Sequence, residues 1–245
     1  MLTNFRRPLL SGFWTLILTA AALAPALAAP SITSLTSAKI KTLAMDTEVV
    51  QENRPELKRI DGDFAQAYRI HNVAISYAYP DKLHFESVVL KAHIAYTING
   101  NQKFTSVPTF HVHKVEDVTN SPGKKQSLMD CGMIPPELLT AYDATYLRKE
   151  GGNFVFQFMP KQKSEKFRDV VWIDPKTKIT TKREHYDRDG HLIAWFQYQN
   201  PQQIVPGVYV PTRVEVYNPY NKLAAVTAYR NIRVNKPLDM TIFDF

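Results

Sequence analysis

The spacing of apolar positions changes character once along the chain, near residue 72. Before that point Ile32, Leu35, Ala38, Leu43, Met45 and Val49 recur at irregular steps close to three and four. With Ser31 or Thr33 available to cap it, this segment predicts a helix. Pro55 opens a second helix through Leu57, Ile60, Phe64 and Tyr68, which Asp61-Gly62 interrupts. From Asn72 the runs become short and rich in β-branched and aromatic residues. VAISYAY (73–79) stops at Pro80-Asp81, and LHFESVVLKAHIAYTI (83–98) stops at Asn99-Gly100, a hairpin-turn dipeptide. A strand over Val107–Lys114 is expected next, and 116–134 shows no periodicity. Pro135-Pro136 then begins a predicted helix, 135–148, through Leu138, Leu139, Tyr142 and Tyr146. Strands over 153–159, 169–174, 179–186, 191–199, 210–218 and 223–235 complete the pattern, with turns at Pro175-Lys176-Thr177, Pro206-Gly207 and Asn218-Pro219. The prediction is a mainly β (α+β) protein, a long antiparallel sheet with helices before it and one inserted midway.

Asp187-Arg188-Asp189-Gly190 raises a choice between a metal loop and a turn. A calcium loop beginning at His185 needs an acidic first ligand and a glutamate at its twelfth position, where this chain has His185 and Phe196. Asp-Gly between ITTKREHY and HLIAWFQY instead meets the demands of a β-hairpin. His111-Val112-His113 is the other metal candidate, since alternation puts both imidazoles on one strand face. A third ligand would have to come from Glu116, Asp117, His93 or His84, and a zinc hydrolase is the corresponding enzyme alternative. No G-x-S-x-G elbow or glycine-rich phosphate loop occurs, which favours binding over catalysis, with no cofactor expected.

Aromatic content supports a binding reading. Phe154, Phe156 and Phe158 share one face; Leu192, Phe196 and Tyr198 share another, with Ile193 and Trp195 opposite. A sheet with bulky apolar groups on both faces needs a cover on each. A partial cover would leave an apolar cavity, for which Phe85, Tyr96, Trp172, Val214 and Val216 are further lining candidates. Residues 31–69 or 135–148 are the expected lid.

The first 28 residues shift the picture towards export. Arg6 and Arg7 precede an uncharged apolar stretch, and Ala26-Leu27-Ala28 offers small residues for cleavage, so 1–28 reads as a secretory signal and 29–245 as one domain. Taking Arg6 and Arg7 from the 30 basic residues leaves 28 against 23 acids, a net charge of about +5. That suits transient contact with anionic lipid, and an exported chain with interspersed charges argues against nucleic acid. Cys131 is alone, excluding an internal disulfide, and its apolar downstream neighbours predict burial.

The succession W-I-D-P-x-T-x-I from Trp172, E-x-Y-D-x-D-G from Glu184, P-G-V-Y-V-P-T-R-V-E-V from Pro206, N-I-R-V-N from Asn231 and a terminal F-D-F resembles the LolA-like family. So does Y-A-Y-P-D-K-L-H-F-E (77–86) upstream. The members are periplasmic carriers that move lipoproteins to the outer membrane, together with uncharacterised relatives. The resemblance implies an open, incompletely closed antiparallel β-barrel whose apolar concave face is capped by helices and receives acyl chains. It implies a carrier or chaperone in lipoprotein sorting or envelope biogenesis. Its partners would be lipid or lipoprotein acyl chains and an inner-membrane release complex or outer-membrane receptor. An envelope-stress sensor using the same cavity is the alternative. The chain departs from the pattern at His84, where carriers often have an arginine that holds the lid, and in a longer, more polar insert at 101–150.

Overall fold

A computed structural model describes residues 29–245; the segment 1–28, read above as a signal peptide, lies outside the described residues. The chain enters as β1 (Thr42–Glu52), turns through two short helices, α1 (Arg54–Lys58) and α2 (Gly62–Ala67), and continues as β2 (Asn72–Ala78), β3 (Lys82–Val89), β4 (Ala92–Asn99), β5 (Gln102–Val107) and β6 (Val112–Asp117). After a crossover it resumes with α3 (Leu138–Ala141), β7 (Tyr142–Glu150), β8 (Asn153–Pro160), β9 (Arg168–Ile173), β10 (Thr180–Tyr186) and β11 (Leu192–Gln199). A small ribbon, β12 (Gln202–Val205) with β13 (Val208–Val210), precedes β14 (Arg213–Tyr217) and β15 (Leu223–Val234).

Thirteen of these strands form one antiparallel sheet in the order β6-β5-β4-β3-β2-β1-β15-β14-β11-β10-β9-β8-β7. The chain therefore starts at the centre, meanders out to one edge, crosses over, and meanders back from the other edge until β15 pairs with β1. Its edges, β6 and β7, stay unpaired with each other, so the barrel is open.

The crossover, 118–137, spans the concave face rather than skirting it. Leu128, Met129, Cys131, Met133 and Ile134 are buried along it. Of its two short turns, Pro122–Lys124 and Leu128–Cys131, the second is held by a capping box between Ser127 and Asp130. Gly132 ends that turn at φ +82°, and a Cβ there would lie 2.6 Å from the Tyr198 ring, so both backbone shape and space require glycine. Backbone bonds from Thr180 N–H to the Gly132 carbonyl (2.9 Å) and from Ser37 N–H to the Ile134 carbonyl (2.7 Å) stitch the crossover down.

The apolar interior is divided by the crossover. One core joins Leu43, Met45, Ile75, Tyr77, Leu83, Ile98, Met133 and Val214. A second joins Leu35, Ile134, Phe156, Phe158, Val171 and Ile173. A third packs Leu57 of α1 and Ala65 of α2 against Val216, Ala224 and Ala225.

Two helix expectations are overturned. Residues expected to continue a helix from Ile32 form a short turn, Ile32–Leu35, and then β1. Leu43, Met45, Thr47 and Val49 satisfy a period of two as well as a stripe of three and four, and pairing with both β2 and β15 decides in favour of strand. Likewise the helix expected over 135–148 stops at Ala141, and Tyr142–Glu150 pairs with β8. Tyr142 and Tyr146, four apart, fit one face of a strand as well as one face of a helix. The second predicted helix does break at Asp61-Gly62, where Asp61 caps α2 by accepting from the Asp63 and Phe64 amides.

Candidate functional site

Between the concave face, α2 and the crossover lies a cavity of about 960 Å³. Alternation on the strands decides which side chains reach it: Thr47, Ile75, Phe85, Val214, Thr227 and Tyr229 come from β1, β2, β3, β14 and β15. On β11 a bulge opposite His185 and Tyr186 leaves Ile193 as an extra residue, and Ile193 joins Ala194, Phe196 and Tyr198 on the wall. From above, α2 contributes Phe64 and Ala67, followed by Tyr68, and Phe64 meets Phe196 edge-on with centroids 6.4 Å apart.

One end of the cavity is charged. Asp169 of β9 lies directly across from His185 of β10, and Arg183 follows two positions before. Arg183 donates from Nε to Asp169 Oδ1 (2.9 Å) and from Nη1 to Asp130 Oδ1 (2.7 Å), while His185 Nδ1 lies 3.0 Å from Asp169 Oδ1. Burial opposes ionisation of both Asp169 and Arg183. For Asp169, the charge of Arg183 and the His185 hydrogen bond outweigh burial and hold the carboxyl below its ordinary value. For Arg183, burial is likewise outweighed, by Asp169 and Asp130, and its value is raised. A buried pair of this kind is costly to break because the remaining charge loses its partner. Asp130 belongs to the crossover, so the network also ties that cover to the sheet. Nearby, burial pushes the Cys131 thiol up to about 12, with Asp130 adding to the effect, which keeps it protonated and unreactive.

Of the residues singled out from sequence, Phe85, Phe196, Tyr198 and Val214 stand on the cavity wall. Tyr96 is just behind, edge-on to Phe85 at 5.7 Å and hydrogen-bonded to the Lys124 carbonyl and Gln126. Phe156 and Phe158 are in the second core, with Phe154 packed at its margin, and Val216 is under α1. Trp172 and Trp195 occupy the other face of the sheet, flanking Lys182, whose Nζ is 4.6 Å and 5.3 Å from their rings. His84 is on that face too, bonded to Thr97 and edge-on to Phe243. The network of Asp169, Arg183, His185 and Asp130 was not foreseen.

Asp189-Gly190 is the hairpin turn expected. The Asp187 carboxylate accepts from the Asp189 and His191 amides, both at 2.9 Å, and Gly190 has φ +85°. Asp187, Asp189 and His191 bring ligand atoms within 4.8 Å of one another, on an exposed turn whose carboxylate is already engaged by backbone. His111 does not sit in a strand: it adopts left-handed φ +53° just before β6, while His113 stacks on Phe104.

The sheet, its cover and the cavity between them define an open barrel of the LolA-like fold class. A family model described only as an uncharacterized protein matches residues 113–245, more than half of the chain, and the chain belongs to that family. Among solved structures, an outer membrane lipoprotein-sorting protein domain from Vibrio parahaemolyticus superposes with a TM-score of 0.57 at 14% identity, covering 86% of this chain and 92% of that one. A LolA superfamily protein from Nitrosomonas europaea gives 0.54 at 14% identity, covering 83% and 88%. At such identities the likeness establishes the fold. No curated protein matches the chain. No helix among the described residues is long and apolar enough to cross a membrane.

Proposed function

We propose that residues 29–245 form a single periplasmic binding domain that holds lipid or lipoprotein acyl chains and acts as a carrier or chaperone in envelope biogenesis. The observation that carries this reading is the cavity, whose volume of about 960 Å³ lies at the upper end of small-molecule sites. Its walls are mostly apolar, with Ile75, Phe85, Phe196 and Val214 on the sheet and Phe64 on the cover. Acyl chains would lie along these side chains, and the charged end would stay with the polar part of the ligand. Opening would involve α1–α2 and the crossover, since those elements form the cover. The likeness to lipoprotein-sorting and LolA superfamily structures supports the reading.

The test is native mass spectrometry of the protein purified from its own periplasm, with extraction of what co-purifies. A bound phospholipid or acylated peptide is the expected outcome. A protein that is empty and takes up no added lipid would sink the proposal. Affinity should also rise by about 0.8 kcal/mol, roughly four-fold, for each methylene added to a fatty-acid probe, until the cavity is filled. Titration calorimetry across a chain-length series reads this directly, and a flat series would contradict an apolar site.

A further inference from the structure

At the rim where β3 ends and β4 begins, the hairpin closes with only Leu90 and Lys91, at φ +49° and +69°. Two successive positive φ values are the mark of a type I′ turn, which Asn-Gly fills readily and a leucine does not. Leu90 is nevertheless 97% exposed, so no packing compensates for its presence. Val88 on the same hairpin is 59% exposed. The adjacent β5–β6 connection, Pro108–Phe110, packs beside β4 and carries Phe110 at 71% exposure, followed by His111 in another left-handed conformation. Two neighbouring tips thus project large apolar side chains into solvent, where the fold gains nothing from them.

Charge points to what they meet. From residue 87 to residue 115 the sequence contains no aspartate or glutamate, whereas Lys91, His93, His111, His113 and Lys114 fall within it near this rim, Lys114 pairing with Glu116 at 3.0 Å. Lys91 stands next to Leu90 and makes no ion pair among the described residues; His93 faces Glu86 at 3.4 Å. Apolar tips with cations close behind them suit an anionic bilayer interface, where the tips enter the acyl boundary and the cations meet phosphate. Separate protruding tips also suit a fluid surface, which needs no complementary pocket. We propose that this rim docks the protein on an anionic phospholipid membrane, with Leu90 and Phe110 inserted. The proposal does not depend on what the cavity holds.

Flotation of the protein, residues 29–245, with vesicles of phosphatidylglycerol and phosphatidylethanolamine tests it, against phosphatidylcholine vesicles as the neutral control. Leu90→Asn with Lys91→Gly installs the residues that the turn prefers, so its melting temperature should rise while vesicle affinity falls about ten-fold or more. Phe110→Ser should weaken binding comparably, and both variants should take up fatty-acid probes like the parent. Leu90→Trp should show blue-shifted emission on vesicles and quenching by brominated acyl chains. Failure of the parent protein to float with anionic vesicles, or variants that float as well as the parent, would overturn the proposal. So would self-association of the parent that the variants abolish, which would make the rim an interface between copies.

Discussion

Asp169 is only 1% exposed, and its carboxylate stays ionised because Arg183 and His185 face it. Removing the carboxylate strands the Arg183 charge, so Asp169→Ala should cost about 3–5 kcal/mol in urea denaturation. The pH dependence follows from the depressed folded value. The stabilisation is complete above the unfolded value of about 3.9 and is lost as pH falls through the lower folded value. Wild-type stability should therefore drop in acid along a slope that Asp169→Asn flattens. Glu137 has the opposite sign. Burial raises its value, and although Tyr77 donates to Oε1 at 2.6 Å, Oε2 is buried without a partner. Its contribution is present below the unfolded value of about 4.3 and lost as pH rises through the raised folded value. Glu137→Gln should therefore melt higher than the wild type at pH about 8 and alike near pH 4, and equal melting at both would contradict an ionised, under-bonded carboxylate.

At the scale of elements, turn chemistry was the most legible layer. Asn99-Gly100, Pro175-Lys176-Thr177 and Asp189-Gly190 all separate paired strands. The two misread helices share one cause: side chains four apart fit both periods, and neighbours distant in sequence settle the matter. The crossover was legible only as a lack of pattern, because its buried residues alternate with no regular element. The charged network was hidden from counting. A regular hairpin with its turn at 174–179 would set Asp169 against Glu184, and it is the register shift between Thr180 and Lys182 that brings His185 opposite Asp169 and Arg183 onto the same face. What the hairpin alone does not reveal is Asp130, which arrives from the crossover. The α1–α2 cover rests on the fully buried Leu57 against Ala224, Ala225 and Val216. Leu57→Ala should cost about 2–5 kcal/mol. Hydrogen exchange should show the loss concentrated in residues 53–71, and uniform deprotection of the whole sheet would argue that the cover is not a separate unit.

For the molecule as a whole, the apolar strand pattern and the family resemblance together anticipated an open barrel with a cavity, but parity alone could not say which aromatic residues face inward. Phe196 and Trp195 are neighbours on one strand, and only the sheet's curvature and its cover decide that the first lines the cavity and the second does not. The seam between β1 and β15 has a separate consequence. Leu43 pairs with Val234, so the first strand made, already beside β2, finds its second partner only when the last has been synthesised. Each half of the sheet is a chain of local hairpins, whereas this junction links segments nearly the full length of the domain apart. A nascent polypeptide of this design cannot finish folding before β15 has emerged. Until then the two halves of the sheet wait on each other with the seam unmade.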